Sequence, residues 1–268
     1  MNHRRPKQHR VMKPRSCLMG SCVMIVGACL AMLFALVHGG VDGEATEAVQ
    51  GADASPGHQR RPVAGASSAP RPSPSPSRSV HVIRHGAGTF TRAPAGSRTF
   101  GRGKPLRYVV EAEDGTEVSA RSVAAEVDRV LGDPRGWTRA GAAFRRVAGP
   151  PYDFRVRLAT PDTTDRLCGA YGLDTGGEVN CAVGTDVVVN LKRWLLLSPY
   201  YPDRPAEYHA LIINHEVGHR LGYGHRGCPG PGRPAPAMMQ QIKGLHGCVA
   251  NAWPYDADGS LITGPAAP

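Results

Sequence analysis

The chain has 268 residues, 41% of them hydrophobic and 20% charged, with a formal net charge of +10. That is enough apolar material for one or two folded domains and excludes a wholly disordered chain. The positive excess is confined to residues 1–105, with 15 basic and 4 acidic side chains, whereas Leu106 to Asp256 carries 17 of each. The balanced part presents no net electrostatic footprint for a phosphate backbone, so no nucleic-acid partner is expected.

Residues 1–16 form a basic tail with Arg4, Arg5, Lys7, Arg10, Lys13 and Arg15 and no acid. Residues 17–38 follow as an apolar run of about the 20 residues that span a bilayer, longer than the usual signal-peptide core of about 7–15. The reading preferred is an uncleaved single-pass anchor in the cell membrane, its basic end in the cytoplasm. A cleaved signal peptide, leaving the rest secreted, is the alternative. A lipoprotein start through Val26-Gly27-Ala28-Cys29 is weaker, because the apolar run continues past Cys29. All three readings put the remainder outside the cytoplasm.

Residues 39–105 are rich in Pro, Ser, Ala, Gly and Arg, as in Arg71-Pro72-Ser73-Pro74-Ser75-Pro76-Ser77. Such a segment buries too little apolar surface to offset its ordering entropy, and reads as a disordered tether through a cell envelope. Its basic charge suits contact with anionic lipids or anionic envelope polymers. A propeptide is the competing reading, which would fold onto an active cleft.

Residues 106–256 have the periodicities of a folded domain. Arg107 to Glu113 reads as a strand. Ala120, Val123, Ala124, Val127, Val130 and Leu131 recur at helical spacing, with Gly132 and Pro134 as stop signals. Tyr152, Phe154, Val156 and Leu158 alternate with Asp153, Arg155 and Arg157 as in a half-buried strand. Glu178 to Val183 and Asp186 to Leu191 flank Gly184-Thr185 and read as a hairpin. Residues 257–268 read as a flexible tail. The order of elements predicts an α+β fold, with a twisted mixed sheet backed by two helices.

A further helix is expected from Pro205 to Leu221, capped by Asp203. Its apolar residues lie on more than one face, which marks it as buried. On it, His215 and His219 are four residues apart and share a face, with Glu216 beside them. Gly222 can take positive φ and end the helix, so that the chain turns and brings His225 in as a third nitrogen. Three protein nitrogens leave a fourth tetrahedral position open, the arrangement of a catalytic zinc site.

Cys168, Cys181, Cys228 and Cys248 lie in the domain, and an even number outside the cytoplasm suggests two disulfides. Four cysteines allow three pairings, and proximity favours Cys168 with Cys181 and Cys228 with Cys248.

The run His215-Glu216-Val217-Gly218-His219-Arg220-Leu221-Gly222-Tyr223-Gly224-His225 fits HExxHxxGxxH, so the chain resembles a metzincin-type zinc metallopeptidase. That resemblance implies a zincin fold and a downstream Met-turn, for which Pro234-Ala235-Pro236-Ala237-Met238-Met239 offers Met238, with Met239 as second choice. The Cys228–Cys248 bridge would close the loop carrying that turn. Several metzincins place a tyrosine two residues after the methionine; glutamines follow here, so a tyrosine-assisted mechanism is not supported. It also implies that an edge strand aligns extended substrate, and the hairpin is the candidate. Arg166-Leu167-Cys168-Gly169 faintly resembles the cysteine switch of matrix metallopeptidase propeptides, but its place inside the domain argues against that role.

Asp162-Thr163-Thr164-Asp165-Arg166-Leu167-Cys168, Val188-Val189-Asn190-Leu191, Asn214 to His219 and Gly227-Cys228-Pro229-Gly230-Pro231-Gly232 resemble the actinobacterial DUF3152 domain family over about Leu106 to Pro254. The 27 Arg against 5 Lys fit a high-GC genome. The expected function is an extracytoplasmic endopeptidase acting on a peptide or protein, with Zn2+ on His215, His219 and His225 and Glu216 as general base. Met238 would support the site without touching substrate. The alternatives are a cell-envelope zinc-binding scaffold without turnover and a zinc amidase acting on wall peptides.

Overall fold

The computed structural model describes residues 80–96 and 98–268. The basic tail, the expected anchor and residues 39–79 of the expected tether lie outside them. In chain order the elements are β1 (Phe90–Arg92), β2 (Thr99–Phe100), β3 (Leu106–Glu113), α1 (Ala120–Leu131), a 3-10 turn (Trp137–Ala140), β4 (Phe144–Arg146), β5 (Phe154–Ala159), α2 (Pro161–Gly169), β6 (Cys181–Val183), β7 (Asp186–Asn190), α3 (Leu191–Leu196), α4 (Pro205–Arg220) and a 3-10 turn (Gln241–Lys243). Among the described residues no helix is long and apolar enough to cross a membrane.

The fold is α+β around one mixed sheet of order β2-β4-β3-β5-β7-β6. Strands β4, β3, β5 and β7 run parallel; β2 and β6 close the ends antiparallel. One edge of β3 serves two partners, β4 along Leu106–Tyr108 and antiparallel β1 along Glu111–Glu113. The pleat divides these strands cleanly. Tyr108, Val110, Ala112, Phe154, Val156, Leu158, Val187 and Val189 face the main core, where the apolar stripe of α1 and the buried length of α4 meet them. Val188, Cys181 and Val183 face the other side and pack with Cys168 of α2.

That second face also carries charge. Glu111, only 4% exposed, accepts from Arg92 at 2.6 Å and from Arg157 at 2.9 Å, and Asp186 accepts from Arg155 at 2.5 Å. The register sets Arg92, Glu111 and Arg157 side by side on adjacent strands, so each desolvated charge finds its partner.

Three boundaries differ from those expected. Ordered structure begins upstream of residue 106: β1 and β2 join the sheet, and the buried carboxylate of Glu113 accepts from Gly88 N at 2.8 Å and Thr160 N at 2.7 Å, fastening the incoming chain. Composition hid this, because the strands are short and lie among Pro, Gly and Arg. The C-terminal stretch is not a loose tail either. Arg226 bridges Ala266, Tyr255 bridges Leu261, and Gly227 N donates to Pro265 O at 2.8 Å. Finally, the cap of α4 is Arg204, with Asp203 outside it at φ 56° and no side-chain cap bond formed. Pro205 at the first helical position fixes the start.

Candidate metal centre

Helix α4 is buried along almost its whole length, from Tyr208 to Gly218, which holds any side chain it presents in one place. It ends as its glycine demands. Gly222 takes φ 91°, Gly222 N donates to His219 O at 3.0 Å and Tyr223 N to Gly218 O at 2.9 Å, a Schellman closure that turns the chain back. The turn delivers His225 to the face shared by His215 and His219.

The three imidazoles are oriented alike by backbone oxygens. His215 Nδ1 lies 2.8 Å from Ala237 O, His219 Nδ1 2.9 Å from Tyr223 O, and His225 Nδ1 2.8 Å from Pro268 O. A carbonyl can only accept, so each neutral ring carries its proton on Nδ1 and turns a bare Nε2 lone pair inward. The Nε2 atom of His219 is 3.2 Å from that of His215 and 3.1 Å from that of His225. With both protons directed elsewhere, these close approaches are not hydrogen bonds. They are near the roughly 3.3 Å edge of a tetrahedron whose metal–nitrogen bonds are about 2.0–2.1 Å. The donor set fits a divalent cation on His215, His219 and His225, whose ligand atoms all lie within 4.8 Å of one another, and among the described residues it is the group of three or more His, Cys, Asp or Glu side chains that could hold one.

Burial governs titration here. It pushes the His215 imidazole down to about 3, with His219 and His225 adding to the effect, and holds His219 below the usual range. Glu216, 5% exposed, is pushed up to about 8 by desolvation. Among the described residues its carboxyl has no hydrogen-bond partner, and it opens with the triad into a cleft of about 480 Å³.

Met238 presses its sulfur against Gly218, the residue before His219, while Met239 packs with Ala235 and Cys248 in a separate small cluster. Both disulfides form as expected, Cys168 with Cys181 and Cys228 with Cys248, at Cα separations of 6.3 and 5.8 Å. A bonded Cys168 cannot serve as a switch thiolate. The cleft wall opposite α4 is the strand end of the sheet, with Val179, Asn180, Cys181 and Ala182 lining it, and β6 pairs with β7 alone. None of residues 80–105 lines the cleft, so that stretch does not act as a propeptide plug. Gln240 and Gln241 both line the cleft, Gln241 only 1% exposed and knotting Tyr201, Pro236 and Asn251 together.

The carbonyls of Ala237 and Pro268 were invisible in sequence, since any residue supplies one. Trp137 was also missed; its indole donates to Asn214 O at 2.8 Å and stacks on Tyr223 at 4.4 Å, bracing both ends of the ligand segment. Gly218 could have been found. A glycine inside a helix costs about 1 kcal/mol against alanine and signals a close neighbour.

A family model described as "Protein of unknown function (DUF3152)" matches residues 77–258, more than half of the chain. The chain belongs to the DUF3152 family. The matched DUF3152 region starts upstream of residue 106 and takes in β1 and β2, in keeping with their place in the sheet. Neither the curated proteins nor the solved structures contain a match.

Proposed function

We propose that this DUF3152 protein is an extracytoplasmic zinc-dependent endopeptidase of metzincin-like design. The observation that carries the reading is the convergence of three Nε2 atoms, each ring with its Nδ1 on a backbone oxygen, beside a buried carboxyl with no hydrogen-bond partner among the described residues, at one end of a cleft bordered by a free strand edge. Zinc bound to His215, His219 and His225 supplies Lewis-acid activation of water and of the scissile carbonyl.

The protein's own residues do the rest. The backbone carbonyls behind each imidazole keep the tautomer fixed and the rings from swinging, so the site is preorganised. Glu216 takes the proton of the attacking water and returns it to the leaving amine. A cation on the triad would favour the ionised form of this buried carboxyl, which then has no competing donor among the described residues and is free for that transfer. Strand β6 offers unpaired backbone groups on its outer side, along which an extended peptide can lie as an added strand. An anchor at residues 17–38 would hold the domain at the outer face of the membrane.

The test is a cleavage profile of the purified chain on a peptide library, run with zinc, with chelator, and with Glu216→Gln. Cleavage that chelator abolishes and that Glu216→Gln lowers by about 10² to 10⁴ is expected. Equal turnover by the variant would eliminate this mechanism. Zinc binding without cleavage of any peptide would move the assignment to a scaffold or to an amidase for non-protein substrates.

A further inference from the structure

The cleft does not stop at the imidazoles. It continues along α4 past Ile212 and Leu211 to Tyr208, a rise of about 10 Å from His215. Leu211, Ile212, Met239 and Ile242 make its middle apolar. Its far end is polar, and the polar groups there are poorly satisfied.

Tyr208 is 2% exposed, with the Arg193 guanidinium against its hydroxyl oxygen, and the hydroxyl donates to no acceptor among the described residues. Burial pushes that hydroxyl up to about 12, so it remains a donor. Arg193, at the start of α3, lies beside it with its side chain 11% exposed. Its Nη2 donates to Glu178 at 2.8 Å and its Nη1 to Leu197 O at 3.2 Å, while Nε is buried without a partner. Two of five guanidinium donors are thus engaged. Glu178 does not neutralise Arg193 by itself, because it is half exposed and is shared with Lys192. Lys243 adds another cation to the lining, bonded only to the neutral Gln240 amide at 3.1 Å. Asp174 is the one acidic side chain besides Glu216 in that lining.

A buried guanidinium with spare donors, next to a phenol whose O–H has no acceptor, costs free energy until an acceptor arrives. The acceptor that suits a planar fork of donors is a carboxylate. We propose that this end of the cleft is a specificity pocket for a substrate carboxylate, with Arg193 as its ion-pair partner and Tyr208 as a hydrogen-bond donor. The carboxylate belongs either to an acidic side chain next to the scissile bond or to the free C-terminus of a short peptide. The apolar middle of the pocket accommodates a methylene stem, which favours Glu over Asp. The proposal rests on the peptidase reading above for the bond that is cut, and on the pocket alone for what is bound.

The experiment uses the full chain and a peptide series that differs at the residue flanking the scissile bond, Glu, Gln, Asp or Leu, each with a free or an amidated C-terminus. Cleavage is followed in wild type, Arg193→Gln and Tyr208→Phe, and fluorescence binding of the same peptides is measured on Glu216→Gln with and without Arg193→Gln. Wild type should prefer Glu over Gln, or a free over an amidated terminus, on the order of 10- to 100-fold. The preference should reside mainly in KM, collapse in Arg193→Gln and fall several-fold in Tyr208→Phe. Which of the two preferences appears identifies the source of the carboxylate. Peptides cleaved with no preference of either kind, or with a preference that survives both variants, would overturn the pocket and leave the peptidase reading standing. Arg193-dependent binding of acidic peptides without any cleavage would overturn the peptidase reading and keep the pocket. Neither binding nor cleavage would overturn both. Should Arg193→Gln fail to fold, Tyr208→Phe carries the test, since it keeps the ring and removes only the donor.

Discussion

Gly218 and Met238 touch so closely that a Cβ added to the glycine would sit nearer the methionine sulfur than real side chains approach, and 2.7 Å from Trp137 Cζ2. The glycine lies between His215 and His219, so the methionine supports the segment of α4 that carries both. Helix propensity alone says that Gly218→Ala should stabilise by about 1 kcal/mol. Overpacking opposes this by about 1–3 kcal/mol, and the obstructing atoms include an indole that is 1% exposed and cannot swing away. The expected net result is destabilisation with weaker metal retention. Urea unfolding of the metal-free and zinc-loaded variant measures both, and a more stable variant would contradict this packing.

The elements legible in sequence were those with sustained periodicity. The stripe of α1 from Ala120 to Leu131 is buried residue for residue, and the alternation of Phe154, Val156 and Leu158 marks the core side of β5. The four-residue spacing of His215 and His219 fixes a helical face without any tertiary knowledge, and Gly222 announces the turn to His225. Strand β4 was not legible, because Phe144-Arg145-Arg146 reads as charge. It becomes a strand because β3 leaves an edge open and Asp128 of α1 takes Arg146 at 2.9 Å. Helix α2 carried fair signals in Pro161 at its first turn and Asp162 beside it, but nine residues give little periodicity to count. The boundary at residue 106 misplaced β1 for a related reason: composition over a long window averages away a three-residue strand.

His219 has a neighbour on either side in the triad, 3.2 Å from His215 Nε2 and 3.1 Å from His225 Nε2. Removing it leaves two imidazoles without the central member. His219→Ala is expected to lose most of its zinc, because two nitrogens make a poor tetrahedral site. Metal analysis after dialysis against a weak chelator reads this directly, and retention of one zinc per chain by the variant would remove His219 from the ligand set.

The Cys228–Cys248 bridge encloses the segment that holds Ala237, Met238 and Gln240, its ends separated by 20 positions in sequence. Chain-entropy arguments give about 3 kcal/mol for a loop of that length. The paired Cys228→Ser and Cys248→Ser substitution should therefore lower stability by about that amount. It should also weaken metal binding, since Ala237 O orients His215. The Cys168–Cys181 bridge ties α2 to the edge strand instead, so its paired serine variant should keep the metal while loosening the wall formed by β6. Chemical denaturation together with zinc titration separates the two outcomes. Equal zinc affinity in both variants would mean that the loop carrying Met238 is held without its disulfide.

Two adjacent residues of α4 are driven in opposite senses by the same burial. His215 is pushed down from 6.5 to about 3, and Glu216 up from 4.5 to about 8. In metal-free protein, His215 binds its proton more readily when unfolded. Its contribution is complete above pH 6.5 and is lost as pH falls toward 3. Glu216 binds its proton more tightly when folded, so its contribution is complete below pH 4.5 and is lost as pH rises toward 8. Between 4.5 and 6.5 the two slopes cancel. The Tm of chelator-treated protein should therefore change less steeply inside that window than on either side of it, with the depressed His219 adding to the loss as pH drops below 6.5. Glu216→Gln should abolish the alkaline fall and keep the acid one. Zinc should alter the alkaline side, because a cation favours neutral imidazoles and an ionised carboxylate, so the Tm gap between loaded and metal-free protein should widen as pH rises from 6 to 8. Calorimetry of wild type and Glu216→Gln across this range decides it. A metal-free wild type whose Tm climbs steadily through pH 8 would mean that Glu216 is not held protonated in the fold.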